Sequence, residues 1–184
     1  MTKQVLFIQG GGEGTHDEWD NKLVASLRRE LGAGYEVRYP HMPDESHPRY
    51  ASWARALREE LEQLDDGGVL VAHSIGATIV IHALAETAPD RTIGGIFLVA
   101  APFVGEGGWP DDDIGSRHDF TALSEAVPIF LYHGRADPTA PVAHLGLYAA
   151  AIPRAVPRIL EKRDHQLNDD LSEVATDIRG LDVP

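Results

Sequence analysis

The sequence predicts an α/β fold of three layers, with a mostly parallel six-stranded sheet between two layers of helices. Three observations carry that expectation. Six short apolar runs recur along the 184 residues, the stretches between them place apolar residues at helical spacing, and four of the runs are nearly continuous rather than alternating. A strand with one wet face alternates polar and apolar side chains, whereas a strand covered on both sides does not. Helices are therefore expected on both faces of the sheet.

In chain order the strand-like runs are QVLFIQ (4–9), YEVRYP (35–40), GVLVAH (68–73), GGIFLVAAP (94–102), VPIFLYHG (127–134) and VPRILEK (156–162). After the first, residues 17–32 set Trp19, Leu23, Leu27 and Leu31 about one turn apart, and residues 49–64 do the same with Trp53, Leu57, Leu61 and Leu64. Further helices are expected from Ser74 towards Glu86, from Val142 to Ala151 and from about Asn168 to Arg179. Alternation of this kind implies right-handed crossovers. The segment FVGEGGWPDDDIGSRHDF (103–120) has no period and reads as an irregular loop, its aspartates 111–113 as solvated turn residues. With no linker or repeat, residues 1–184 are expected to form one domain without room for a cap.

Composition narrows the function classes. Apolar residues make up 43% and charged ones 24%, the balance of a folded chain rather than a disordered one. A formal net charge of -13 repels phosphate backbones and anionic lipid, so neither nucleic acid nor membrane is an expected partner. The absence of cysteine excludes disulfides, thiolate nucleophiles and cysteine-ligated metal. The N-terminus lacks a signal-peptide pattern and no apolar run reaches membrane-span length, so a cytoplasmic location is expected. Nothing in the chain points to a protein partner.

In parallel α/β folds ligands sit beyond the carboxyl ends of the strands. After the third run comes AHSIGA, with Ser74 two residues from Ala72 on one side and from Gly76 on the other. The nucleophile elbow G-x-S-x-G requires such small neighbours because its serine occupies a tight strand-to-helix turn; Ala72 replaces the first glycine by a single methyl group. The hydroxyl would stand at a helix N-terminus, where negative charge is favoured. Taken alone, the segment suits a helix cap equally well. A serine nucleophile needs a base and an acid that orients it. Asp137 follows the fifth run in LYHGRADPTAPV, and His165 follows the sixth in LEKRDHQLND. Serine, aspartate and histidine, each just past a different strand, stand in the order of an α/β-hydrolase triad, and their joint occurrence favours the nucleophile. His73, adjoining Ser74, is expected on the other side of the elbow as a hydrogen-bonded packing residue.

Across FIQGGGEGTHDEW, AHSIGA, HGRADPTAPV and RDHQLND the chain resembles the small capless α/β-hydrolases, the group of serine hydrolases that includes retinoblastoma-binding protein 9 and the bacterial YdeN-like proteins. The resemblance implies a three-layer hydrolase fold and acyl transfer with Ser74 as nucleophile, His165 as base and Asp137 as orienting acid. No cofactor and no metal are implied. In such hydrolases the loop after the first core strand supplies one oxyanion donor, often from a His-Gly pair; here Gln9-Gly10 stands instead. The matching position falls on Gly11 and the second donor on Ile75, with the choice among the glycines of residues 10–14 left open. A cleft between that loop and residues 103–120 would be lined by Gly12, His16, Phe103, Trp109 and Pro138, with Trp19 near its mouth. Small acyl esters are the leading substrates. Amide or peptide hydrolysis by the same triad, and a hydrolase-fold interaction module with weak activity, are the alternatives.

Two rival motifs fail. Counting from Gly10, the sixth place of a dinucleotide fingerprint is Thr15, and counting from Gly11 the third is Glu13. None of the nine histidines shows the H-E-x-x-H or a related ligand spacing.

Overall fold

Strands β1 (Lys3–Ile8), β2 (Tyr35–Arg38), β3 (Gly68–His73), β4 (Ile93–Val99), β5 (Ile129–Gly134) and β6 (Val156–Leu160) form one sheet in the order β2-β1-β3-β4-β5-β6. Every neighbouring pair is parallel. The coordinates are a computed structural model that describes residues 2–110, 113–114, 119–123 and 125–181.

Successive side chains of a strand point to opposite faces, and here both faces are covered. Val5, Phe7, Val69, Val71, Phe97 and Val99 pack against Leu23, Val24 and Leu27 of α1 (Asn21–Leu31) and Val174, Ala175 and Ile178 of α5 (Ser172–Gly180). Leu6, Ile8, Leu70, Ala72, Ile96 and Leu98 face the other way. They meet Trp53, Leu57 and Leu61 of α2 (Tyr50–Glu62), the apolar side chains of α3 (Ser74–Glu86), and Leu145 and Tyr148 of α4 (Ala143–Ala151). Each fully buried aliphatic or aromatic side chain contributes about 1.5–3 kcal/mol, which is why the central strands are apolar throughout. The outer strands differ. In β6 the middle residues Pro157, Arg158 and Ile159 are exposed, as an edge allows.

The chain moves from β1 outward to β2 and returns to β3 on the other side of β1. That reversal opens a crevice at the carboxyl ends of β1 and β3, the usual ligand position in an open parallel sheet. No cap domain stands among the described residues.

The expected elements appear, with differences at their ends. The first helix divides into a wide turn with π-type hydrogen bonding, Thr15–Asp20, followed by α1. Strand β4 stops at Val99 because Ala100 adopts φ 50° and turns the chain. The last helix starts at Ser172, four residues later than its apolar spacing suggests, because Leu167, Asn168 and Asp169 all lie in the left-handed region. Of the irregular segment 103–120, residues 103–110 turn through a single bridge between Val104 and Trp109, while Asp111, Asp112 and 115–118 lie outside the described residues.

Candidate active site

The crevice begins at the junction of β3 and α3. Ser74 takes φ 53°, a left-handed conformation that costs a non-glycine residue of order 1–3 kcal/mol and turns its side chain out of the strand. The turn is this tight because β1 crosses just behind it. A Cβ on Gly76 would fall 2.0 Å from the Gln9 carbonyl oxygen, so only glycine fits two residues after the serine. Two residues before it, Ala72 is completely buried, and its methyl group is accommodated in the core.

Asp137 lies in the turn after β5. Its Oδ1 accepts the Thr139 and Ala140 N–H groups at 2.8 and 2.9 Å, closing an Asx-type turn. Its Oδ2 faces two imidazoles, His165 Nδ1 at 2.7 Å and His133 Nε2 at 3.2 Å. Burial opposes ionisation of this carboxyl, but the hydrogen bonds from His133, His165 and Ala140 outweigh it and hold the group well below the usual carboxylate range. His133 also faces the Ala140 carbonyl at 2.9 Å through the same nitrogen. Both of its partners are acceptors, so His133 Nε2 carries a proton.

His165 arrives from the loop after β6, where the Gly134 backbone passes so close that a Cβ there would meet the Arg163 and Asp164 carbonyl oxygens at 2.2 and 2.4 Å. The left-handed turn that follows is clamped by Arg163, which donates to the Leu167 carbonyl at 3.1 Å and to Asp170 at 2.7 Å. With Nδ1 donating to Asp137, the other ring nitrogen is free to accept, and His165 Nε2 stands 2.9 Å from Ser74 Oγ. Three side chains from three strand ends, 63 and 28 residues apart in sequence, are thus joined in one hydrogen-bonded line.

The loop after β1 is held by Glu45. Its carboxylate accepts Gly14 N–H and His16 N–H at 2.9 Å each and the Gln9 amide at 2.5 Å, and its carbonyl accepts Gly12 N–H at 2.6 Å. Burial pushes the Glu45 carboxyl up, but the donors from His16, Gln9 and Gly14 bring it below its ordinary value. Gly10 N–H goes to Asp20 Oδ2 at 2.7 Å. Among the described residues the Gly11 N–H has no acceptor, and a Cβ at Gly11 would lie 2.8 Å from Ile75 Cγ2. Ile75, second in α3, belongs to the first turn, where N–H groups lack an intrahelical partner.

The expected lining residues are placed less uniformly. Trp109 is 37% exposed and meets the His144 ring edge-on, and Pro138 is exposed. Gly12 has φ 125° and its N–H is taken by Glu45. Trp19 is exposed beneath the Lys22 ammonium. Phe103, expected as a wall, is a core residue instead: it is 5% exposed and stands edge-on to Tyr148, while its N–H donates to His144 Nδ1 at 2.9 Å. His16 is also pinned, its ring stacked between Tyr39 and His41 and its Nδ1 2.7 Å from Asp17. His16, Asp17 and His41 bring ligand atoms within 4.8 Å of one another, among the described residues. Lone pairs of an imidazole lie in its ring plane, so two rings stacked face to face do not converge on one ion unless His41 turns away.

Two surface grooves, of about 450 and 310 Å³, share Leu84, Ala88, Pro89 and Arg91 and lie at the carboxyl-terminal end of α3. Ser74 starts that helix, which at 13 residues spans about 20 Å, so the grooves are separate from the crevice.

The sequence profile of the serine hydrolase family matches residues 5–165. The chain belongs to the serine hydrolase family. YdeN of Bacillus subtilis (strain 168), named as a hydrolase, is 31% identical over 100 residues, an alignment that covers 54% of this chain and 51% of that relative. The chain therefore spans about half the length of the curated relative it matches. The crystal structure of the YdeN gene product superposes with a TM-score of 0.77 at 22% identity, covering 98% of each chain. The esterase domain of a Rhodothermus marinus protein gives 0.68 at 17% identity, covering 97% of this chain and 85% of the other. At these identities the structural likenesses establish the α/β-hydrolase fold of the serine hydrolase. No helix among its described residues is long and apolar enough to cross a membrane.

Asp20, Glu45 and His133 stand in the site without being among its expected residues. His133 carried a signal, a histidine closing an apolar strand four residues before an aspartate. Asp20 and Glu45 carried none, since their partners come from the glycine loop, from β3 and from the His165 loop.

Proposed function

We propose that the protein hydrolyses carboxylic esters with small acyl groups through an acyl-enzyme on Ser74. The observation that carries this reading is the His165 ring, set 2.9 Å from Ser74 Oγ and 2.7 Å from Asp137 Oδ2. His165 Nε2 takes the hydroxyl proton as Ser74 attacks the acyl carbonyl. Asp137 fixes the tautomer and stabilises the imidazolium that forms. The imidazolium then protonates the leaving alcohol, and water, activated by the same nitrogen, releases the acid. The tetrahedral oxyanion is bound by the N–H groups of Gly11 and Ile75, each contributing roughly 3 kcal/mol. The commitment of the Gly10, Gly12 and Gly14 N–H groups to Asp20 and Glu45 supports Gly11 in that role. The step draws on no metal or cofactor. Trp109 and Pro138, both exposed beyond strand ends, serve as apolar walls for the acyl group.

Reaction with a fluorophosphonate tests the assignment without knowledge of the substrate. The folded wild type is expected to label, and Ser74→Ala to lose labelling while ester turnover falls by roughly a million-fold. Folded wild type that does not label would instead mark an interaction module. Rates on p-nitrophenyl esters from acetyl to octanoyl, set against aminoacyl amides, separate ester from amide specificity.

A further inference from the structure

The segments that carry the proposed chemistry share a tie that the mechanism leaves unused. Asp20, fully buried at the end of the wide turn, accepts Gly10 N–H on Oδ2 at 2.7 Å and the Gln166 amide on Oδ1 at 3.2 Å. Its two oxygens stand 2.9 and 3.0 Å from His73 Nδ1. His73, 1% exposed, places Nε2 3.1 Å from the His165 carbonyl oxygen. Gly10 precedes Gly11, His73 precedes Ser74, and Gln166 follows His165. One carboxylate therefore reaches, directly or through one ring, each of the three segments within a residue of its working group.

Donors and acceptors fix the protons. The His165 carbonyl only accepts, so His73 Nε2 carries hydrogen. A bare Nδ1 would set a lone pair against carboxylate lone pairs, so Nδ1 carries one as well. Both Asp20 oxygens already accept from other donors, which favours the ionised carboxyl over a neutral acid. Charge-assisted hydrogen bonds of this kind are short and directional, and a buried ion pair contributes registry more readily than net stability.

We infer that Asp20 and His73 form a buried carboxylate–imidazolium pair that holds Ser74, His165 and the Gly11 N–H in mutual register, as positioning residues for the hydrolysis. The inference rests on the reading of Ser74 as the nucleophile. Asp20→Asn tests it, because the amide oxygen still accepts Gly10 N–H while the charge is gone. Wild type should label with fluorophosphonate and Ser74→Ala should not. Asp20→Asn, checked as folded by its thermal transition, should label about 10- to 100-fold more slowly, with kcat on p-nitrophenyl acetate reduced alike and KM within about two-fold, as a small misplacement of reacting groups produces. A second measurement needs no folded Asp20 variant. Nitrogen-15 spectra of the wild type at pH 7.5 should show one histidine with protons on both ring nitrogens, a signal missing from His73→Gln. If wild type labels, Ser74→Ala does not, and Asp20→Asn reacts at the wild-type rate, the nucleophile stands and the positioning role is overturned. A singly protonated His73 overturns the charged pair. Wild type that fails to label overturns the nucleophile, and the positioning role with it.

Discussion

Two histidines share one oxygen of Asp137, and two oxygens of Asp20 share one histidine. At the scale of single residues these arrangements decide protonation. For His73, burial disfavours the charged form, but the Asp20 charge and hydrogen bond, with the His165 carbonyl, raise its pKa above the ordinary value of 6.5. For Asp20, burial pushes upward and His73, Gly10 and Gln166 bring the carboxyl below its ordinary 3.8. A raised histidine stabilises the fold fully below its unfolded value and loses that contribution as pH rises through its folded value. The lowered carboxyl contributes above its unfolded value and loses that as pH falls through the folded one. The pair therefore supports the fold most between about pH 4 and 6.5. From pH 6 to 9 the urea midpoint of the wild type is expected to fall more than that of Asp20→Asn. In the variant a lone buried His73 prefers to be neutral, so its own contribution grows with pH. A steeper fall in the variant would contradict the ion pair. Ser74, Asp137 and His165 were legible in the sequence because each is a chemically distinctive residue directly after an apolar run. Asp20 was not, because it looks like any polar residue of a helical outer face until β3 and the His165 loop close over it.

Elements were legible wherever both faces are buried. The runs behind β1, β3, β4 and β5 are apolar because helices cover each side, so pattern and burial report the same fact. Their ends were harder to read, since Ala100 and Leu167–Asp169 adopt left-handed dihedrals without a glycine to announce them. Local side-chain ties hold the second of these turns: Arg163 clamps it, and Asp164 and Asn168 exchange hydrogen bonds across it at 2.8 and 3.1 Å. The packing of α3 on β1 gives a sharper test. A methyl group on Gly76 meets the Gln9 backbone oxygen, which has no rotamer by which to yield. Gly76→Ala is expected to cost at least about 3 kcal/mol, the upper end for overpacking, and to lower Tm by roughly 6–12 °C. An unchanged thermal transition would mean that α3 sits farther from β1 than described.

The whole molecule carries a formal charge of -13, to which Glu13 of the glycine loop and Asp17 and Glu18 of the wide turn after it contribute beside the crevice. Long-range repulsion of this size acts on any anionic substrate and is screened as the Debye length shrinks from about 30 Å at 0.01 M salt to about 8 Å at 0.15 M. Between those salt concentrations, kcat/KM for an ester with a carboxylate on its acyl chain is expected to rise several-fold, while that for an uncharged ester of equal length stays level. Equal salt responses would show that the crevice is shielded from the surface field.

The exposed course of β6 has a consequence for crowding. An outermost strand offers its free N–H and C=O groups as a template for a second chain, and proline on such a strand withholds a donor where a newcomer would need one. Pro157, followed by the cationic Arg158, interrupts that template at the second residue of a five-residue strand. The margin next to the His165 loop is thereby a poorer template for a second sheet than an uninterrupted edge would be.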